Sequence, residues 1–143
     1  MGGGEGDADR GAGGAGHQLD RRRAGGLDHR GIPFDDDTCD TVVSTLVLCT
    51  VSDPARSVAE IARVLKPGGR LLFCEHVEAD AGWRRSLQRR SAGAWAAFAD
   101  GCRCDRPILA TIESRMRVES SERSRWRGMP AIVKPLVWGT ASA

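Results

Sequence analysis

The run from Asp40 to Val77 constrains the fold of this chain more tightly than any other segment. Asp40-Thr-Val-Val-Ser-Thr-Leu-Val-Leu-Cys49 is continuously apolar and rich in β-branched residues, the pattern of a strand buried on both faces of a parallel sheet. Asp53-Pro54 follows, an N-cap residue with proline at the first helical position. Val58, Ile61, Ala62, Val64 and Leu65 then recur at helical spacing, with Arg56, Glu60 and Arg63 on the other face. Lys66-Pro-Gly-Gly69 ends that helix and turns the chain. Arg70 to Val77 reads as a second buried strand. Strand, helix, turn and strand make one βαβ unit, which requires a right-handed crossover and a parallel sheet.

The flanks differ sharply. Eleven of the 18 glycines fall within residues 1–31, together with five acidic and five arginine side chains that cancel in charge. Leu19 and Leu27 are the only large aliphatic residues before Ile32, apart from Met1. Such a segment buries too little apolar surface to offset the entropy of ordering, so residues 1–26 are expected to be disordered and residues 27–143 to form the domain. Past Val77, residues 83–99 suggest an amphipathic helix and residues 107–116 another, with Asp100 or Asp105 near its start. Residues 117–127 and 132–140 allow two strands, expected as an antiparallel hairpin at a sheet edge.

Function classes narrow on charge and cysteine. A net charge of +2 gives no ground for a nucleic-acid partner, and the basic-aromatic stretch of Arg123, Arg125, Trp126 and Arg127 matches no RNA-binding motif. The odd count of five cysteines does not read as a disulfide framework. Cys102-Arg-Cys104 lacks the two-residue gap of a zinc knuckle, so no metal is expected. No apolar stretch reaches the roughly 18 residues needed to span a bilayer, which leads to the expectation of a cytoplasmic protein without a transmembrane segment. The arginines from Arg84 to Arg90 read as a solvated helix face; contact with an anionic substrate or a membrane surface is the rival reading.

Three blocks in series carry a resemblance. Ile32-Pro-Phe-Asp35, Cys39-Asp-Thr-Val-Val43 and Arg63-Val-Leu-Lys-Pro-Gly-Gly69 resemble class I S-adenosylmethionine-dependent methyltransferases. Leu48-Cys49 and Glu75-His76 narrow the resemblance to the methyltransferase-11 type and its methyltransferase-like 7 subgroup. Gln88, Gly101-Cys102, Ile112-Glu113 and Gly139-Thr140-Ala141 resemble that subgroup's tail.

The resemblance implies an α/β, Rossmann-like fold, here partial, comprising strands four to seven of a seven-stranded sheet with the last strand inserted antiparallel. It also implies S-adenosylmethionine as cofactor and a small-molecule or lipid-like acceptor. By the same resemblance Asp28 meets the adenine amino group, His29 lies beside it, and Ser44, Thr45 and Leu46 line the methionine side. Glu75 and His76 face the acceptor, where they hold a nucleophile or take its proton; a structural role for both stays open. Ligands in open parallel sheets bind beyond the carboxyl ends of the strands, which agrees with this placement.

The family's glycine-rich cofactor loop has no counterpart in a strand–loop–helix context. Gly11, Gly13 and Gly16 match G-x-G-x-x-G in spacing alone. The chain is therefore expected to be amino-terminally incomplete, with a displaced start or shifted reading frame as one source. Three outcomes are weighed: an active methyltransferase, a non-catalytic fragment, and a module completed by another chain. A nucleotide-binding dehydrogenase fits less well, since it needs the same loop. An uncovered strand-four edge is expected to drive self-association.

Overall fold

The computed structural model describes residues 31–80 and 82–143. The segment 1–26, Gly11, Gly13, Gly16, Asp28 and His29 lie outside the described residues. Strand β1 runs Cys39–Thr45, helix α1 Pro54–Val64, strand β2 Leu65–His76 and helix α2 Gly82–Phe98. Helix α3 (Ile108–Glu113) and strands β3 (Arg117–Arg125) and β4 (Pro135–Ser142) complete the order.

The four strands form one sheet in the order β1-β2-β4-β3. β1 and β2 are parallel, so the βαβ unit expected from Asp40 to Val77 is present. β4 is antiparallel to both neighbours and inserts between β2 and β3. This is the arrangement expected for strands four to seven, with the last strand slotted in against the grain of the others.

Local chemistry sets the boundaries. Asp53 caps α1 by accepting the Arg56 backbone N–H at 3.0 Å, and Pro54 opens the first turn. Val58, Ile61 and Val64 face inward. The Lys66–Gly69 turn forms a bulge inside β2: Cys39 pairs with Leu65, and the next register pair joins Thr41 to Arg70. Gly68 there adopts φ +78°, and a Cβ on Gly69 would stand 2.9 Å from the Lys66 carbonyl oxygen. α3 starts after Pro107 with no side-chain cap, so neither Asp100 nor Asp105 serves that end.

One face of the sheet carries the core. Leu71 and Phe73 of β2 and Val137 and Ala141 of β4 pack with Ile61, Ile108 and Ile112 from the helices. The opposite face presents Val43, Leu72 and Trp138 to solvent. The expectation that β1 is buried on both faces is therefore corrected. Of its residues only Ser44 is buried, while Leu48 and Cys49 lie beyond the strand. Its uniform apolarity reflects the turn residues as much as the strand.

Candidate functional site

Because β1 and β2 are parallel, their carboxyl ends open on the same edge of the sheet, and two features sit there. The first is a cleft between β1 and α1, of about 120 Å³. Ser44, Val47 and Leu48 form one wall, and Ile32, Glu60 and Ile61 the other. Arg63 fixes the second wall with all five of its N–H donors. Nη1 donates to the Phe34 carbonyl (2.9 Å) and Asp36 Oδ1 (2.7 Å). Nη2 donates to the Ile32 carbonyl (3.0 Å) and Glu60 Oε2 (2.9 Å), and Nε to Glu60 Oε1 (3.2 Å). Glu60 also accepts the Ile32 N–H at 3.2 Å. The Arg63 hydrogen bonds hold the Glu60 carboxyl below the usual carboxylate range.

Glu75 organises the turn after β1. Its carboxylate is fully buried and accepts Ser44 Oγ–H at 2.7 Å, Val47 N–H at 3.0 Å and Cys49 N–H at 3.2 Å. The chain leaves the sheet at Leu46, which adopts φ +55° and donates its N–H to the Cys74 carbonyl at 2.9 Å. Of the residues that the resemblance places on the cofactor side, Ser44 lines the cleft, whereas Thr45 and Leu46 do not. Glu75, expected beside His76 and toward the acceptor, is instead turned into the β1 turn with both oxygens occupied.

The second feature lies at the end of β2. His76 Nδ1 stands 3.5 Å from Cys102 Sγ and 3.9 Å from Cys49 Sγ, and the two sulfurs are 3.8 Å apart. All three residues are buried. The His76 ring stacks on Trp126 with centroids 5.8 Å apart, and its Nε2 is buried without a hydrogen-bond partner. The hydrogen bond shared with Cys102, and then burial, push the Cys49 thiol up. The same hydrogen bond draws the Cys102 thiol down. Burial raises neighbouring Cys104 to about 11.

Two anchors hold this arrangement. Arg103 N–H donates to the Cys49 carbonyl at 2.7 Å, fastening the loop after α2 to the turn after β1. Gln88 of α2 is buried; its Oε1 accepts Ala79 N–H (2.6 Å), and its Nε2 donates to the carbonyls of Ile132 (2.8 Å) and Cys104 (3.1 Å). Sequence reasoning noticed Gln88 only within the tail resemblance; its sign was a polar residue on the inward face of α2, one turn before buried Ala92. Nothing local in the sequence pairs Cys49 with Cys102; the fold alone brings them together.

A family model described as a methyltransferase domain matches residues 15–73. Thiol S-methyltransferase TMT1A of Homo sapiens is 38% identical over 112 residues, covering 74% of this chain and 44% of the relative. Over these segments the chain is similar to methyltransferases. The family's cofactor is S-adenosylmethionine. Rat thiol S-methyltransferase TMT1B is 44% identical over 79 residues, covering 54% of this chain and 32% of the relative. The chain thus spans less than half the length of these curated methyltransferases. A SAM-dependent methyltransferase from Methanosarcina mazei shares the fold at a TM-score of 0.57 and 17% identity, covering 85% of this chain and 64% of that one. No helix among the described residues is long and apolar enough to cross a membrane.

Proposed function

We propose that this chain acts in methyl transfer from S-adenosylmethionine to a small-molecule acceptor, with a thiol as the favoured acceptor class. The observation that carries this reading is the Ser44 cleft. It stands at the carboxyl end of a parallel strand, and Ile32, Ser44 and Arg63, which build it, all lie within the matched methyltransferase segment. The thiol preference rests on the two thiol S-methyltransferases among the relatives. Lipid-like acceptors form the second substrate class.

The cleft fits part of the cofactor. It is mostly apolar with Ser44 and Glu60 at its walls, and it is smaller than the roughly 300 Å³ of a complete small-molecule pocket. In this reading Asp28 and His29 meet the adenine and Ser44 borders the methionine side, with Thr45 and Leu46 next to it in the chain but outside the cleft wall. Bound there, the cofactor supplies an electrophilic methyl group on a sulfonium. The protein's part is chiefly alignment, because displacement at a methyl carbon depends on in-line approach. Glu75 serves as a positioning residue through its grip on Ser44, Val47 and Cys49. His76 belongs to the acceptor side, where its Nε2, without a hydrogen-bond partner of its own, can hydrogen-bond the acceptor.

A second reading is a module completed by another chain. It is favoured by β1, whose outer edge pairs with no strand among the described residues. The test is incubation of the full chain with S-adenosylmethionine and either small thiols or lipid acceptors, with products followed by mass spectrometry. Methyl thioether and S-adenosylhomocysteine in equal amounts are the expected products. Methylation of the lipid acceptors alone would overturn the thiol assignment. Cofactor binding without any product would favour the completed module.

A further inference from the structure

We infer that Cys49, His76 and Cys102 form a binding site for a soft divalent cation, zinc above all, with its fourth corner left to an exogenous ligand. Zinc bonds to sulfur at about 2.3 Å and to imidazole nitrogen at about 2.0–2.1 Å, so the corners of a zinc tetrahedron lie about 3.8 Å apart for two sulfurs and about 3.5 Å apart for sulfur and nitrogen. The separations here are 3.8 Å between the sulfurs, and 3.5 and 3.9 Å from nitrogen to each sulfur. Three donors already stand at three corners of one tetrahedron, and closing on an ion asks for a shift of only a few tenths of an ångström.

The donors are fixed by the fold. Glu75 holds the Cys49 backbone, the sheet holds His76 opposite Leu136, and the Arg103-to-Cys49 hydrogen bond seats the Cys102 loop. Gly101, at φ +86°, brings that loop against the Thr50 backbone. None of the three residues is consumed by a disulfide. Two thiols and an imidazole suit zinc and exclude the oxygen-seeking magnesium and calcium ions. A set of three protein donors leaves a coordination position for water or a small ligand. The spacing of Cys102-Arg-Cys104 argues against a metal only while those two cysteines are taken as the pair. The fold pairs Cys102 with Cys49 instead, and the site stands whether or not the chain transfers methyl groups.

The test uses the full chain, reduced and stripped with a chelator, then titrated with zinc and separately with cobalt. One equivalent of zinc is expected to bind, with sulfur-to-cobalt charge-transfer absorption in the cobalt form. Cys49→Ser, Cys102→Ser and His76→Gln should each weaken binding by at least about 10-fold. Cys74→Ser, at a cysteine outside the cluster, should bind as the parent does. Should a variant fail to fold, a rise in melting temperature on adding zinc to the parent chain supplies the independent readout. The inference is overturned if the folded, reduced parent takes up no stoichiometric zinc. It is equally overturned if the cobalt form lacks thiolate bands, or if Cys49 and Cys102 simply oxidise to a disulfide without either metal ever binding.

Discussion

Among the described residues no cation pairs with Glu75, and its stability depends instead on three donors, one from β1 and two from the turn after it. Glu75→Gln would set an amide NH₂ against at least one of those donors. It is expected to destabilise the fold by about 2–4 kcal/mol, because a buried donor then loses its acceptor. Urea unfolding of the variant checks this; stability equal to the parent would refute the anchoring role. Arg63 and Glu60 make a different prediction. The Glu60 pKa is lower in the folded chain than in the unfolded one. Its contribution is therefore full above the ordinary carboxylate range and lost as pH falls through the folded value. Acid should loosen residues 31–36 first, followed as faster hydrogen exchange at the Ile32 and Phe34 amides, and Arg63→Ala should do the same at neutral pH. Unchanged exchange at both amides would contradict the clamp.

At the scale of the elements, Gly139 gives the sharpest test. A Cβ there would collide with the Ser120 carbonyl oxygen and lie 2.9 Å from the Phe73 ring, in the middle of the inserted strand. Gly139→Ala is expected to cost about 3 kcal/mol or more, since backbone of β3 has to move; a melting temperature within a degree of the parent would show that β4 is seated differently. The same elements show what the sequence discloses. The Asp53-Pro54 cap and the inward stripe of Val58, Ile61 and Val64 are local signals, and α1 follows them closely. β1 is less legible. Its apolar run predicts burial on two sides, yet Val43 is 67% exposed, because burial depends on what lies across the sheet and not on the strand's own residues. Ser44, which the resemblance places on the cofactor side, was legible as a strand-end residue, and it lines the cleft. The cluster of Cys49, His76 and Cys102 was not, since its members are 26 and 27 residues apart and meet only when two strands and a loop converge.

For the whole molecule, the outer edge of β1, which pairs with no strand among the described residues, predicts association. The chain should form larger species as its concentration rises, and Val43→Lys should shift it toward monomer by placing charge at that edge. Light scattering across a dilution series checks this, and a concentration-independent monomer would contradict it. Chain length bears on the central claim too, because the sheet described here has four strands and the matched methyltransferases are more than twice the aligned length. The direct test is calorimetric titration of the full chain with S-adenosylmethionine and with S-adenosylhomocysteine. The account predicts saturable, micromolar, one-to-one binding of both, weakened by Asp28→Ala. A folded chain that releases no heat with either molecule would contradict it, leaving a methyltransferase scaffold that does not hold its cofactor alone.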